Sequence, residues 1–237
     1  MHERAAIITG GNSGIGEAVV RRLASRGWRV ALAGRRAEEN ERVAALARED
    51  GAAEVVPLAL DLSREEDCRT LVATAREAFG RIDLVLNNAG KINRSRVADS
   101  STEEWEDLLR TNLSSVYWCS REAYRVLREQ EVGPEGVRGA ILQMSSVCGV
   151  DAWAGTGLYS ATKHGMMGLT RALADEGVED LIRVCALCPA LVATPLSGAS
   201  GSEVIQPEDL AETVDYLLRL SPAAWPTEIV IPRRGAD

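Results

Sequence analysis

A tyrosine and a lysine four residues apart, Tyr159 and Lys163, are the side chains of this sequence best suited to proton chemistry. On a helix, positions i and i+4 share a face, so the phenol and the ammonium group converge. A tyrosine titrates near pH ~10 when unperturbed, and a nearby positive charge lowers that pKa. The pair therefore predicts a general acid and base that exchanges a proton with an oxygen atom of a bound molecule.

A pair of serines precedes the tyrosine at a spacing that favours a shared site. The stretch 139–146 predicts a buried strand that ends in Ser145 and Ser146, and Tyr159 follows thirteen residues after Ser146. A hydroxyl group at that strand end would hydrogen-bond the same oxygen atom as charge develops on it. The alternative is that the tyrosine and lysine are an ordinary surface pair.

A glycine-rich turn opens the chain. The stretch 9–16 reads Thr-Gly-Gly-Asn-Ser-Gly-Ile-Gly, follows the apolar run 4–8 and begins the helical pattern 14–26. Glycine allows a tight turn and a close approach of the backbone to a pyrophosphate, which the N-terminus of the helix stabilises. The turn predicts a dinucleotide site, and a bare strand-to-helix turn is the alternative.

The elements that must position these residues alternate along the chain. Short apolar runs predict further strands at 28–33, 54–60, 82–86, 183–187 and 227–231, and helical patterns lie at 38–50, 64–79 and 207–220, with another beginning at 102. Pro57 indicates a kink or an edge in its strand. We predict an α/β fold: one Rossmann-like doubly wound domain, 1–237, with about seven parallel strands and helices on both faces.

Composition narrows the partners. A net charge of −8 disfavours a nucleic-acid partner, and no run of about 18 apolar residues predicts a membrane span. Met1-His2-Glu3-Arg4 leads directly into the first strand, so we expect no signal peptide and a cytoplasmic location. Five scattered cysteines fit reduced thiols. Cys185 and Cys188 have the spacing of half a zinc site, but with His2 and His164 as the only histidines we expect no metal.

Together these motifs resemble the short-chain dehydrogenase/reductase (SDR) family over nearly the whole chain. The resemblance rests on Thr-Gly-x-x-x-Gly-x-Gly at 9–16, Asn-Asn-Ala-Gly at 87–90, Thr-Asn-Leu at 111–113, Ser146, and Tyr-x-x-x-Lys at 159–163. It implies a catalytic set of Asn112, Ser146, Tyr159 and Lys163, in which Lys163 also binds the hydroxyl groups of the nicotinamide ribose. Asn112 would mark a helix distortion whose carbonyl holds a water; a satisfied buried asparagine is the alternative.

The resemblance also implies cofactor contacts. They would come from Gly10, Asn12, Ser13, Gly14, Ile15, Gly16, Asp61, Leu62, Asn87, Ala89, Gly90, Tyr159, Lys163, Pro189, Val192 and Thr194. Asp61 or Ser63 can alternatively cap the helix that follows. Ala190 stands where the family usually has glycine, and alanine disfavours a positive φ there.

Two arginines at the end of the second predicted strand bear on the choice of cofactor. An acidic residue normally binds the ribose hydroxyls of NAD(H) there, but this chain has Arg35 and Arg36, whose guanidinium groups suit a phosphate. The sequence therefore favours NADP(H), with NAD(H) as the alternative cofactor. The other interpretation is that both arginines simply begin a solvated helix.

The predicted function is hydride transfer between NADP(H) and a carbonyl or secondary alcohol of a small molecule. The alternatives are an NAD-dependent alcohol dehydrogenase and a non-catalytic nucleotide-binding sensor or scaffold. Arg94, Arg96, Trp153 and Leu158 are candidate substrate contacts, Trp153 foremost, and 195–202 is a candidate lid. The family resemblance also implies a homodimer or homotetramer.

Overall fold

A computed structural model describes residues 4–233, and its strands form one parallel sheet. The strands are Ala5–Thr9 (β1), Arg29–Gly34 (β2), Glu54–Ala59 (β3), Leu84–Asn87 (β4), Gly139–Met144 (β5), Ile182–Pro189 (β6) and Glu228–Ile231 (β7). Their order across the sheet is β3-β2-β1-β4-β5-β6-β7, and every neighbouring pair is parallel. The predicted seven-stranded parallel fold is confirmed, and Pro57 lies in an edge strand.

Helices connect the strands. They are Gly14–Ala24 (α1), Ala37–Asp50 (α2), Glu65–Phe79 (α3), Thr102–Leu109 (α4), Ser115–Glu129 (α5), Gly157–Asp180 (α6) and Pro207–Leu217 (α7). The start of α4 follows from a capping box, in which Ser101 accepts from the Glu104 amide and Glu104 reaches back to the Ser101 amide. α2 ends where Gly51 adopts a φ of 108°.

The start of α3 corrects one alternative. Its N-cap residue is Arg64, which makes no side-chain capping bond, so neither Asp61 nor Ser63 caps the helix. Instead, Asp61 Oδ1 accepts hydrogen bonds from the amide and the hydroxyl of Ser63. Asp61 is thereby held in a short turn that leads from the end of β3 into the helix.

The helices bury both faces of the sheet. On one face, side chains of α1, α2 and α7, such as Val20, Val43 and Val214, pack against alternate residues of the central strands. On the other face, α3, α5 and α6 pack against the remaining residues, among them Ile7 and Ile141. Because both faces are covered, the central strands are continuous apolar runs.

The order of the strands creates a crevice at the carboxyl ends of the central strands β1 and β4. β1 pairs with β2 on one side and with β4 on the other, so the connections run in opposite directions from β1. Ligands in such sheets bind beyond the carboxyl ends of the strands at this switch point. The glycine-rich turn after Thr9 and the Asn-Asn-Ala-Gly stretch after β4 both emerge there.

Within residues 4–233, no helix is both long enough and apolar enough to cross a bilayer. Met1, His2 and Glu3, on which the expectation of no signal peptide depends, lie outside the described residues.

Candidate active site

The turn between β1 and α1 needs its glycines for two different reasons. Gly10 and Gly14 have φ values of 62° and 53°, in the left-handed region that side chains rarely adopt. At Gly16, a Cβ atom would lie 2.1 Å from the carbonyl oxygen of Gly10, so only glycine fits. The positive φ values and the close packing hold the turn open toward the crevice.

Beyond this turn lies a cavity of about 500 Å³. It is lined by predicted cofactor residues from five segments: Gly10, Asn12, Ser13, Gly14, Ile15, Arg35, Arg36, Asp61, Leu62, Ala89, Gly90 and Thr194. Arg35 and Asp61 thus face one space from adjacent strand ends. Hydrogen bonds from Ser63 lower the pKa of Asp61, and the charge of Arg35 adds to that effect. The carboxylate is therefore charged at neutral pH.

A second cavity, of about 260 Å³, continues from the first. The two share wall residues that include Ile15, Asn88 and Thr194. Ser146, Tyr159 and Lys163 line the second cavity together with Pro189 and Val192. The structure therefore brings the predicted serine, tyrosine and lysine to one place at the inner end of the nucleotide-sized cleft.

The lysine and serine of this site are fixed by backbone contacts. Lys163 Nζ is buried, donates a 2.8 Å hydrogen bond to the carbonyl oxygen of Met144, and lies 5.6 Å from the centre of the Tyr159 ring. Ser146 Oγ accepts a 3.1 Å bond from the Cys148 amide. Ser146 also hydrogen-bonds Tyr159 through its side chain. The helical i, i+4 spacing thus does place phenol and ammonium side by side.

The pKa of the tyrosine differs from our expectation. Burial raises the pKa of Tyr159 to about 12, and the hydrogen bond with Ser146 opposes that shift without cancelling it. Burial also lowers the pKa of Lys163 to about 8. Desolvation disfavours the charged form of each group, so it outweighs the attraction on which the expected lowering depended. Tyr159 is therefore a protonated phenol at neutral pH.

Asn112 lies where the helix is distorted, as predicted. The backbone forms a π-helical turn over Arg110–Ser114, between α4 and α5. The fully buried Asn112 side chain accepts from the Lys91 amide at 2.7 Å and donates to the Lys91 carbonyl at 2.8 Å. The alternative of a satisfied buried asparagine therefore also holds, and the role of its carbonyl in a proton relay stays a prediction.

Sequence comparison identifies the family. A family model described as short chain dehydrogenase matches residues 4–204. The chain belongs to the short-chain dehydrogenase/reductase family. A dehydrogenase/reductase SDR family member 11 of Mus musculus is 32% identical over 238 residues, covering 93% of this chain and 90% of that protein. An oxidoreductase of Staphylococcus aureus strain USA300 is 30% identical over 219 residues and 91% of each chain.

Solved structures agree with this assignment. The alcohol dehydrogenase of the archaeon Thermococcus sibiricus, complexed with 5-hydroxy-NADP, has a TM-score of 0.88 and 29% identity over 97% of this chain and 96% of that one. Actinorhodin polyketide ketoreductase with NADPH has a TM-score of 0.87 and 29% identity, over 97% and 95% of the two chains. This chain is thus an SDR-type dehydrogenase/reductase with an NAD(P)-binding Rossmann fold.

Two residues predicted to bind the cofactor of this SDR protein line neither cavity, and the side-chain amide of a third is engaged with another residue. Asn87 is buried and donates to Ser120 Oγ at 3.0 Å. Gly16 packs under the turn. Asn12 lines the first cavity, but its side-chain amide donates to Asn40 Oδ1 at 2.8 Å. Asn87 and Gly16 therefore lie behind the wall of the cleft, to which Asn12 itself belongs.

Asn88 and Thr9 belong to the site, although neither residue stands out individually in the sequence. Asn88 Nδ2 donates to the carbonyl oxygens of Thr9 and Gly10 at 3.0 and 3.1 Å, and Asn88 lines both cavities. Thr9 Oγ1 accepts from the amides of Asn88 and Ala89 at 2.8 and 3.0 Å. Both residues lie inside motifs that the sequence shows, but their hydrogen-bond partners cannot be read from the sequence.

Ala190 fits its position in this SDR chain without strain. Among the described residues, Leu181 is the non-glycine residue with a positive φ, so Ala190 does not need the conformation that alanine disfavours. Its amide donates to the Ile231 carbonyl at 2.9 Å, and Ala190 lines the second cavity. The β6–β7 pairing therefore holds the loop in place with alanine at the position where the family resemblance implied glycine.

The predicted substrate contacts separate into one that lines the cavity and three that do not. Arg94 lines the second cavity. Trp153 is 50% exposed on the surface and Leu158 is buried, and neither of these nor Arg96 lines the cavities. The prediction for Trp153 was therefore wrong, because its loop directs it outward.

The predicted lid borders both cavities. Pro195 and Leu196 line the first, and Leu196 and Ser197 line the second. Ser197 Oγ donates to the Val192 carbonyl at 2.6 Å, which anchors the start of the segment. Its movement as a lid stays a prediction.

The cysteines and the other possible metal ligands within residues 4–233 do not form a metal-binding group. Between residues 4 and 233, no three His, Cys, Asp or Glu side chains form a group that could hold a metal ion. Cys185 and Cys188 are buried in β6, and burial raises the pKa of the Cys185 thiol to about 12. His2 lies outside the described residues.

If Tyr159 exchanges the substrate proton, its raised pKa predicts different pH profiles for the two reaction directions. Reduction needs the phenol, which is the dominant form well below pH 12, so its kcat/KM should stay flat from pH 6 to 8. Oxidation needs the phenolate, whose fraction rises about tenfold per pH unit below the pKa. Its kcat/KM should therefore rise over the same range. Initial rates in both directions test this, and an oxidation rate that falls with pH would contradict it.

Proposed function

We propose that this SDR protein transfers a hydride between NADP(H) and a carbonyl or secondary-alcohol carbon of a small molecule. One observation carries the proposal: Ser146, Tyr159 and Lys163 line a cavity that continues from a nucleotide-sized cleft with a glycine-rich turn. The chain would work as one nucleotide-binding domain, 1–237. A cleft with no proton donor at its inner end would have favoured a binding protein instead.

The cleft fits a dinucleotide on structural grounds. A side chain at Gly14 would approach the Thr194 side chain to 3.0 Å, and one at Gly16 would collide with the Gly10 carbonyl. The bare backbone at this turn leads into α1, whose N-terminus favours a phosphate. Ser13, the N-cap residue, makes no capping bond with its side chain and lines the cleft, so its hydroxyl is available to a pyrophosphate. When bound, the nicotinamide supplies or accepts the hydride.

The residues of the chain would control the proton. Tyr159 holds a proton at its phenol oxygen at neutral pH and would donate it to the carbonyl oxygen during reduction. Ser146 accepts from the Cys148 amide, and its hydroxyl lies beside Tyr159 and 3.5 Å from the Pro189 carbonyl. Next to the phenol, that hydroxyl would turn to the substrate oxygen and stabilise the charge that develops on it. Lys163 would hold the ribose and favour the phenolate once the proton has left.

Arg35 and Arg36 support NADP(H) as the cofactor. Both line the first cavity where β2 ends, next to Asp61 at the end of β3. A guanidinium group binds a 2′-phosphate through forked, charge-assisted hydrogen bonds. The Thermococcus sibiricus alcohol dehydrogenase is complexed with 5-hydroxy-NADP and the polyketide ketoreductase with NADPH, which adds support.

Removing both arginines should change the cofactor preference. In the variant Arg35→Ala with Arg36→Ala, we expect the KM for NADPH to rise about 10- to 100-fold, because charge-assisted bonds to the phosphate are lost, while the KM for NADH changes little. Arg76→Ala, an exposed arginine on α3 that does not line the cleft, is the matched control. Equal losses with both cofactors would contradict the assignment.

The general test is consumption of NADPH, followed by absorbance, with a panel of aldehydes and ketones. We expect turnover with a subset of these compounds. We also propose the homodimer or homotetramer and the cytoplasmic location that the family implies. Tight NADPH binding without oxidation by any carbonyl compound would favour the sensor or scaffold instead. Sedimentation of the purified protein tests the oligomer.

A further inference from the structure

Part of the wall of the second cavity is apolar. Ile92, Val147, Leu191 and Leu196 line it together with Ser146 and Tyr159. None of the described residues that line it is an aspartate or a glutamate. The cavity therefore offers an apolar surface to the body of a substrate and no negative charge that would repel an anion.

Three cations line the same cavity, and two of them are already engaged. Lys91 Nζ lies 2.7 Å from each carboxylate oxygen of Asp107. Lys163 is buried and donates to the Met144 carbonyl. Both are therefore poor candidates to bind an additional charged group on a substrate.

Arg94 differs from the other two cations. It is exposed, it lines the cavity, and its side chain forms no hydrogen bond or ion pair with another residue in the described part of the chain, 4–233. A guanidinium group is always charged and binds a carboxylate through two parallel bonds. Arg94 is thus the one cation of this cavity wall whose charge has no protein partner among residues 4–233.

We propose that the substrate is an oxo acid or the corresponding hydroxy acid, whose carboxylate binds Arg94 while its carbonyl or hydroxyl group meets Tyr159. The proposal rests on the proposed function and adds the substrate class. A carboxylate suits the site better than a phosphate, because its single charge matches a single available guanidinium. In reduction, the carbonyl carbon gains the hydride of NADPH, which becomes NADP⁺, and the oxygen gains the proton of Tyr159.

The test compares each acid with its neutral ester. Levulinate, acetoacetate and phenylpyruvate are assayed with NADPH beside their methyl esters, with acetophenone and cyclohexanone as uncharged ketones. In the wild type we expect kcat/KM to favour the acids. In Arg94→Gln, the ratio of kcat/KM for acid over ester should fall about 10- to 100-fold, the loss expected for a charge-assisted contact.

Arg96→Gln is the matched control, because it removes the same charge two residues away without touching either cavity. Its ratio should equal that of the wild type. Added KCl should lower kcat/KM for the acids more in the wild type than in Arg94→Gln, since an exposed charge is screened by salt.

The outcomes separate the two proposals. Reduction of ketones with an acid-to-ester ratio that Arg94→Gln leaves unchanged would overturn the substrate class and leave the hydride-transfer function intact. No reduction of any carbonyl compound would overturn both. An Arg94-dependent preference for dihydroxyacetone phosphate over all the acids would overturn the choice of carboxylate.

Discussion

Replacing Tyr159 by phenylalanine should reduce kcat by about a thousandfold and leave NADPH binding near its wild-type level, because the loss of a general acid costs roughly 10²- to 10⁴-fold. The substitution removes one oxygen atom and keeps the ring that lies 5.6 Å from Lys163 Nζ. Tyr159 lines the cavity with Ser146, which hydrogen-bonds it. Single-turnover rates and fluorescence titration with NADPH measure the two effects separately.

Tyr216→Phe is the matched control for this experiment. Tyr216 is 54% exposed on α7 and lines neither cavity, so loss of its hydroxyl should alter neither rate nor binding. A Tyr159→Phe variant with wild-type turnover would show that another group supplies the proton. A variant that lost NADPH binding as well would show that the phenol has a structural role in the cleft.

Replacing Lys163 by methionine is expected to have the second largest effect, a loss of about a hundredfold or more in kcat. Methionine fills a similar volume, but it cannot hold the ribose, and it places no positive charge near the phenol. It also leaves the Met144 carbonyl without the 2.8 Å hydrogen bond from Nζ. We expect weaker NADPH binding together with slower turnover, in contrast to Tyr159→Phe.

The Lys163→Met variant should also differ from the wild type in the pH dependence of its stability. Loss of cofactor contacts alone would not produce that difference. Burial lowers the pKa of Lys163 from 10.5 to about 8, so between these values the unfolded chain binds more protons than the folded one. Because of this group, the free energy of unfolding of the wild type without cofactor should rise as the pH rises from 8 to 10.5. Denaturation midpoints of Lys163→Met should lack that gain. Identical pH dependence in both proteins would contradict the burial of the ammonium group.

The fold and the identity of the site residues could be predicted because both depend on local patterns. Apolar runs located every strand, and the helix distortion at Asn112 followed from its motif. The boundaries moved by one or two residues in several elements. β6, for example, extends to Pro189 because β7 pairs with its C-terminal half, up to Pro189 opposite Ile231. Such pairings depend on segments distant in sequence.

Properties that depend on burial or on the direction of a loop could not be predicted. The sequence shows the lysine beside the tyrosine, but it does not show the desolvation that decides the pKa of Tyr159. It places Trp153 between Ser146 and Tyr159, yet the loop turns that side chain to solvent. The partnership of Lys91 with Asp107 joins residues sixteen positions apart. It leaves Arg94 as the cation of the second cavity that has no partner among residues 4–233.

We propose that a hydride reaches a carbonyl carbon in the cavity beside Tyr159. This is tested by the mass of the product alcohol after reduction with NADPH that carries deuterium at the transferred position of the nicotinamide. We expect one deuterium at the carbinol carbon for each NADPH consumed. An alcohol without deuterium, or NADPH bound in the cleft and never oxidised by any carbonyl compound, would contradict it.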